Sequence, residues 1–132
     1  MTTTVLIADD NASMRQALQR LLSAIPNVVV TAEAGDGEEA VRLALERRPS
    51  VVLMDISMPR LDGFEATRRI RLGAPDIRVI IVTADTSAAC LEKGVAVGAD
   101  GFVAKIAVAD ELSRAFIALS CGERFISPRA FP

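Results

Sequence analysis

The run Val51-Val52-Leu53-Met54 is apolar at every residue, half of it β-branched, and it ends on Asp55. It shows no alternation of polar and apolar residues, so a half-exposed strand does not fit, and it is too short for a helix. It reads as a strand covered on both faces, which points to a parallel sheet between layers of helix. A carboxylate directly after such a run is costly unless a cation, a metal or a hydrogen-bond network meets it. Pro59 and the Asp62-Gly63 pair then turn the chain sharply, which puts Asp55 at the mouth of a loop. Open parallel sheets bind ligands at that mouth, beyond the carboxyl ends of their strands. Taken alone, Asp55 is equally well a strand-ending residue that caps the next turn.

The rest of the chain repeats the pattern. Thr3 to Asp9, Val28 to Ala32, Ile77 to Thr83 and Gly101 to Ala104 read as four further strands. After Asn11 as N-cap, Met14, Leu18, Leu21, Leu22 and Ile25 share one helical face, with Arg15, Gln16, Gln19, Arg20 and Ser23 on the other. Asp36-Gly37-Glu38-Glu39 opens a second helix with acids in its first turn, and Arg47-Arg48 close it before Pro49. A third helix is expected from about Phe64 to Leu72 and a fourth from near Ser87 to Val97, where Gly94 costs about 1 kcal/mol relative to Ala. The fifth opens at Asp110-Glu111 and runs through Leu112, Phe116 and Leu119. Five strands alternating with five helices predict a doubly wound α/β domain with a parallel sheet in the flavodoxin-like order 2-1-3-4-5.

In that order the crevice opens where strands one and three separate, and those strands end in Asp9-Asp10 and Asp55. Strands four and five end in Thr83 and Lys105 at the same edge. Three carboxylates with no imidazole or thiolate nearby favour a hard cation, Mg2+ before Mn2+ or Ca2+. A hydroxyl and an ammonium facing them suit an anion held beside that metal. Each residue has a bland reading of its own, as a helix-capping acid, an ordinary strand Thr or a solvated strand-end Lys. All four strand ends filled with suitable residue types by accident is the less economical account.

Composition narrows the function. The 132 residues suffice for one domain, and 15 basic against 17 acidic side chains give no sign of a nucleic-acid-binding surface. Histidine is absent, which removes a His-based triad or metal site and assigns any phosphohistidine chemistry to a partner. Cys90 and Cys121 lie far apart without a CxxC pattern and are expected as free thiols. No stretch matches a signal peptide or a bilayer span, so no membrane association and a cytoplasmic location are expected.

Together, Val5-Leu6-Ile7-Ala8-Asp9-Asp10, Leu53-Met54-Asp55-Ile56-Ser57-Met58-Pro59 with Asp62-Gly63, Val82-Thr83-Ala84, and Gly98-Ala99-Asp100-Gly101-Phe102-Val103-Ala104-Lys105 resemble the receiver domain of two-component response regulators. The resemblance runs from about Thr4 to Leu119. It implies that Asp55 is the phosphoacceptor for a sensor histidine kinase. Mg2+ would be held by Asp10, the Asp55 carboxylate and the Ser57 backbone carbonyl, with Asp9 acting through water. Lys105 would pair with the phosphoryl oxygens and the Thr83 hydroxyl would bond to one of them. Thr83 and Phe102 would form the switch, Thr83 moving toward the phosphate and making room for Phe102 to turn inward. Such a domain is not an enzyme proper; its chemistry is Mg2+-dependent self-phosphorylation from a phosphodonor and slow autodephosphorylation.

Ile106 stands where many receivers carry Pro, a departure tolerated in the subfamily with a LuxR-type helix-turn-helix output domain. Gly122-Glu123-Arg124-Phe125-Ile126-Ser127-Pro128 also resembles that subfamily's linker. The expected division is a receiver over 1–121 and a tail or linker start over 122–132. The implied behaviour is a homodimer on phosphorylation, acting on DNA only through an output domain that is not in these 132 residues. The alternative is a stand-alone or degenerate receiver that serves as a protein-interaction module. A nucleotide- or flavin-binding module would need a phosphate-cradling loop where Asp9-Asp10-Asn11 stands. An aspartate-nucleophile phosphatase would need a second acid two residues after its first-strand nucleophile, and neither Asn11 nor Ala12 supplies it.

Overall fold

The computed structural model describes residues 2–128. Its elements follow the alternation of the sequence: β1 (Thr3–Ala8), α1 (Ala12–Ser23), β2 (Val28–Ala34), α2 (Gly37–Arg47), β3 (Val51–Met54), α3 (Gly63–Gly73), β4 (Arg78–Thr83), α4 (Ala88–Ala96), β5 (Gly101–Ala104), α5 (Val108–Ser120) and β6 (Phe125–Ile126). The expected parallel order holds, and β6 extends it to β2-β1-β3-β4-β5-β6. The sheet therefore has a sixth strand that the run-by-run reading did not expect, paired as Gly101 with Phe125 and Phe102 with Ile126. A 3₁₀ turn over Lys105–Ala107 brings α5 in at Val108, two residues before the acids expected to open it. Among the described residues no helix is long and apolar enough to cross a membrane. Both cysteines are free thiols, Cys90 buried and Cys121 exposed. Residues 129–132 of the expected tail lie outside the described residues.

Alternation along the strands divides the core into two layers. Val5, Ile7, Leu53, Ile80 and Val82 face α1 and α5, meeting Leu18, Leu22, Leu112 and Phe116. Leu6, Ala8, Val52, Met54 and Val79 face α2 and α3, meeting Ala40, Leu43, Ala66 and Ile70. Both faces are dry, as the continuous apolar runs required. Four helices start at the carboxyl edge of the sheet, each with a side-chain cap: Asn11 accepts from Met14 N, Asp36 from Glu39 N, Asp62 from Glu65 N and Ser87 from Cys90 N. Each such cap contributes about 1 kcal/mol. Their positions also fix where the chain leaves the strand ends, so they shape the rim of the site.

Under α4 a smaller cluster gathers Ile81, Ala99 and Phe102 with Ile56, Phe64 and Leu91 around it. Phe102 is completely buried. Gly94 explains how. A Cβ there would fall on the Phe102 ring and within 3.0 Å of Ile81 Cδ1, so the helix approaches the aromatic closely only because that residue is glycine. The low helix propensity at Gly94 is offset by this packing. Gly94→Ala is expected to destabilise by about 1–2 kcal/mol, since overpacking costs 1–3 kcal/mol against up to about 1 kcal/mol of recovered propensity. In a Phe102→Ala background the same substitution should be neutral or stabilising. Calorimetric melting of the four proteins checks this; an equal cost in both backgrounds would detach Gly94 from the ring.

Candidate functional site

Register builds the site. Ala8 pairs with Met54 at the ends of β1 and β3, so Asp9 and Asp55 emerge side by side, with Asp55 N donating to Ala8 O at 2.9 Å. Thr83 pairs with Ala104, which sends Lys105 across from the same edge. The result is an open cleft of about 600 Å³ whose lining includes Asp9, Asp10, Asp55, Ser57, Thr83 and Lys105. Six of the seven residues singled out in the sequence thus meet in one place. Phe102 is the exception, since its ring lies under α4, already turned inward, where the sequence reading expected room to open only on switching.

Carboxylate oxygens of Asp9, Asp10 and Asp55 lie within 4.8 Å of one another. Asp9 and Asp55 are 1% and 6% exposed, whereas Asp10 faces solvent. Lys105 Nζ stands 3.1 Å from Asp9 Oδ2 and 3.3 Å from Asp55 Oδ1. Asp9 Oδ1 also accepts from Asn11 N, and Asp55 Oδ1 from Ile56 N, each at 2.9 Å. Asp55 Oδ2 has no hydrogen-bond partner among the described residues. Behind the site Gly63 packs directly on the backbone of Asp55, where a Cβ would strike the Asp55 carbonyl, and Gly63 N donates to Ile56 O at 2.8 Å. The Asp62-Gly63 turn therefore presses the start of α3 against the residue it follows.

Burial pushes the Asp55 carboxyl above its ordinary range, the charge of Asp9 adds to the rise, and Lys105 and the Ile56 amide only partly offset it. Burial works against the Lys105 ammonium too, yet the hydrogen bond to Asp9 and the two carboxylate charges outweigh it and hold its pKa up. While Asp9 and Asp55 are ionised, Lys105 therefore stabilises the fold below its ordinary value of about 10.4, and that contribution is lost as pH rises through the higher folded value. Thr83 is buried, and its Oγ1 accepts from Asp85 N at 2.9 Å. Asp85 in turn accepts from Ser87 N at 2.9 Å, and that bond holds its carboxyl below the usual range.

The donors suit a hard divalent cation. They are oxygens only, two of the carboxylates are nearly dry, and a single ammonium stands against three negative charges. The Ser57 carbonyl accepts no hydrogen bond among the described residues, which leaves its lone pairs available at the rim. Sequence reasoning missed Arg15. Periodicity assigned it to the polar face of α1, yet its Nη1 donates to Asp9 O at 2.7 Å while its Nε pairs with Glu33 at 3.0 Å. The signal that would have found it is its position one turn after Asn11, where the face of a helix leaving β1 still overlooks the strand end.

A raised folded pKa means that ionised Asp55 costs stability above that value, and that the cost is relieved as pH falls toward about 4. Asn keeps the Oδ1 acceptor for Ile56 and drops the charge. Without metal, Asp55→Asn should melt above the wild type at pH 7, with the advantage vanishing near pH 4. Calorimetry across that range checks the sign. Exposure screens Asp10, so metal-free Asp10→Ala should melt within about 0.5 kcal/mol of the wild type. With excess Mg2+ only the wild type should gain stability, because only it retains the ligand.

The profile of the response regulator receiver domain matches residues 5–117. The response regulator GacA of Pseudomonas aeruginosa is 37% identical over 125 residues, covering 95% of this chain and 58% of that protein. UvrY of Escherichia coli K12 is 36% identical over 123 residues, covering 93% and 56%. The chain thus spans a little over half the length of these curated relatives. Among solved structures, a LuxR-family response regulator from Aurantimonas sp. SI85-9A1 superposes with a TM-score of 0.93 at 36% identity, covering 98% of this chain and 93% of that one. The isolated receiver domain of RcsB from Salmonella enterica serovar Typhimurium, solved with the phosphomimetic BeF3-, gives 0.91 at 25% identity with both chains fully covered. A strand-end carboxylate cluster on a parallel sheet, a matching profile over nearly the whole chain and these relatives agree: the chain belongs to the response regulator receiver domain family.

Proposed function

We propose that Asp55 is the phosphoacceptor of this domain, taking a phosphoryl group from the phosphohistidine of a sensor kinase. The observation that carries this is the state of its carboxylate. Oδ1 is fixed by Ile56 N and Lys105, while Oδ2 has no hydrogen-bond partner among the described residues and Asp55 lines the open cleft. Transfer breaks the P–N bond of the donor and forms a P–O bond to Asp55, so the site must position the group and neutralise its oxygens more than supply covalent help. Lys105, already within 3.3 Å of Asp55, can follow the charge onto the phosphoryl oxygens. The Thr83 hydroxyl can exchange its contact with Asp85 N for one with the same group. Asp10, Asp55 and the Ser57 backbone carbonyl would hold Mg2+, with Asp9 acting through water. When bound, the ion neutralises charge between the carboxylates and the incoming phosphate.

Residues 1–121 form the receiver in this reading, and 122–132 begin a linker. The output is control of homodimerisation and, through a DNA-binding domain beyond these residues, of transcription in the cytoplasm. The relatives support that direction: RcsB has been solved as dimers bound to DNA. The intact acidic cleft argues against a degenerate scaffold.

Incubation with acetyl phosphate and Mg2+ should add one phosphoryl group by intact mass, and Asp55→Asn or chelation of the metal should abolish it. Undiminished modification in Asp55→Asn would overturn the assignment. Thr83→Ala should accept phosphate yet couple it poorly to self-association, because the hydroxyl contact is lost while the metal ligands remain. Equal dimerisation of the phosphorylated proteins in sedimentation experiments would remove Thr83 from the switch.

A further inference from the structure

We infer that Arg15, buttressed by Glu33, is a positioning residue that sets the peptide plane between the two acids of the metal-binding loop. The inference rests on the proposed Mg2+ site and concerns how this chain prepares it.

Asp9 and Asp10 share one peptide unit, made of the Asp9 carbonyl and the Asp10 N–H. The orientation of that plane decides where the Asp10 carboxylate leaves the backbone relative to Asp9. Asp9 is tied on three sides: its N–H donates to Ala34 O at 3.0 Å, and its carboxylate meets Asn11 N at 2.9 Å and Lys105 at 3.1 Å. None of these holds the plane that leads to Asp10. Arg15 does, through the 2.7 Å bond from Nη1 to Asp9 O. Asp10 itself is exposed and has no hydrogen bond among the described residues, so its placement depends on the backbone alone.

Arg15 is suited to this because it sits on a rigid element. Its backbone N–H donates to Asn11 O at 3.1 Å in the first turn of α1. An unrestrained guanidinium beside three carboxylates would compete with the metal for them. Glu33, on the neighbouring strand β2, prevents that by holding Nε at 3.0 Å and neutralising the charge. The fork geometry of Arg allows one side chain to serve the Asp9 carbonyl and the Glu33 carboxylate at once, which an ammonium cannot reproduce. Partners that orient metal ligands are typically worth tenfold or more in affinity.

Two accounts of Arg15 predict opposite signs. If it were only a positive charge near a cation site, removing it would tighten Mg2+ binding. If it positions the loop, both Arg15→Met and Arg15→Lys should weaken Mg2+ binding roughly tenfold. The test is calorimetric titration with Mg2+ alone, and then phosphorylation by acetyl phosphate across Mg2+ concentrations. The expected result is a raised half-saturating Mg2+ concentration with the maximal rate restored at saturation. Glu33→Gln should reproduce part of the loss and be non-additive with Arg15→Met. Circular dichroism in chelator verifies that each variant folds, and the milder Arg15→Lys keeps the test available if Arg15→Met does not. Unchanged or tighter Mg2+ binding in the folded Arg15 variants, or a loss of maximal rate that saturating Mg2+ does not restore, would overturn the inference. Absence of Mg2+ binding in the wild type would instead overturn the proposed metal site, so the two failures are distinguishable.

Discussion

The ammonium of Lys105 between Asp9 and Asp55 is the contact on which the arrangement of the cleft turns. Two nearly dry carboxylates on adjacent strands would repel each other at low effective dielectric, and no ordinary packing gain requires them to be adjacent. The fold places them there because parallel strands all end at one edge. It then meets part of the charge from the far side of the sheet with a residue at the end of β5. The neutralisation is incomplete, since one cation faces three acids. That imbalance makes the cleft costly when empty of cations and receptive to them. It is a case of local instability kept where chemistry needs it.

The architecture was legible because each buried strand announced itself. Short apolar runs leading to Asp9, Asp55, Thr83 and Lys105 specify a two-sided sheet and its carboxyl edge at once. What escaped was whatever draws its order from a neighbour. β6 is only Phe125–Ile126 and has no run of its own; its hydrogen bonds come from β5, and Gly122, with φ of 76°, turns the chain into register. The start of α5 was placed late because the 3₁₀ turn at Lys105–Ala107 leads into it without a side-chain cap to read. β2 runs on to Ala34, past the apolar run at Val28–Ala32, because pairing with β1 continues through Glu33 and Ala34.

The same distinction holds inside the site. Residues whose places follow from strand ends were readable, while those tied in through a neighbouring element were not. Arg15 looked like a solvated helix face because periodicity describes one helix at a time. Its partners are Asp9, just past the end of β1, and Glu33 on β2. Gly63 and Gly94 were visible as a turn former and a weak point in a helix. Their function is close approach, to the Asp55 backbone in one case and to the Phe102 ring in the other. Glu111 was read with Asp110 only as an acid that opens α5; it is fully buried, and neither carboxylate oxygen has a hydrogen-bond partner among the described residues.

β5 joins the cleft, the aromatic and the tail within four residues. Lys105 follows its end, Phe102 lies in its middle, and β6 takes its open side, with Ser127 N donating to Phe102 O at 2.8 Å. This placement separates two motions. Rotation of the Phe102 ring about its side-chain bonds leaves the backbone carbonyl where it is, so the bond from Ser127 and the register of β6 survive it. A shift of the β5 backbone, such as Lys105 would exert if it were drawn toward new charge in the cleft, acts directly on that carbonyl. The tail is therefore tied to the backbone of the strand. A displacement of the β5 backbone at Phe102 reaches β6 directly through the Ser127 hydrogen bond, whereas rotation of the ring alone leaves that bond in place.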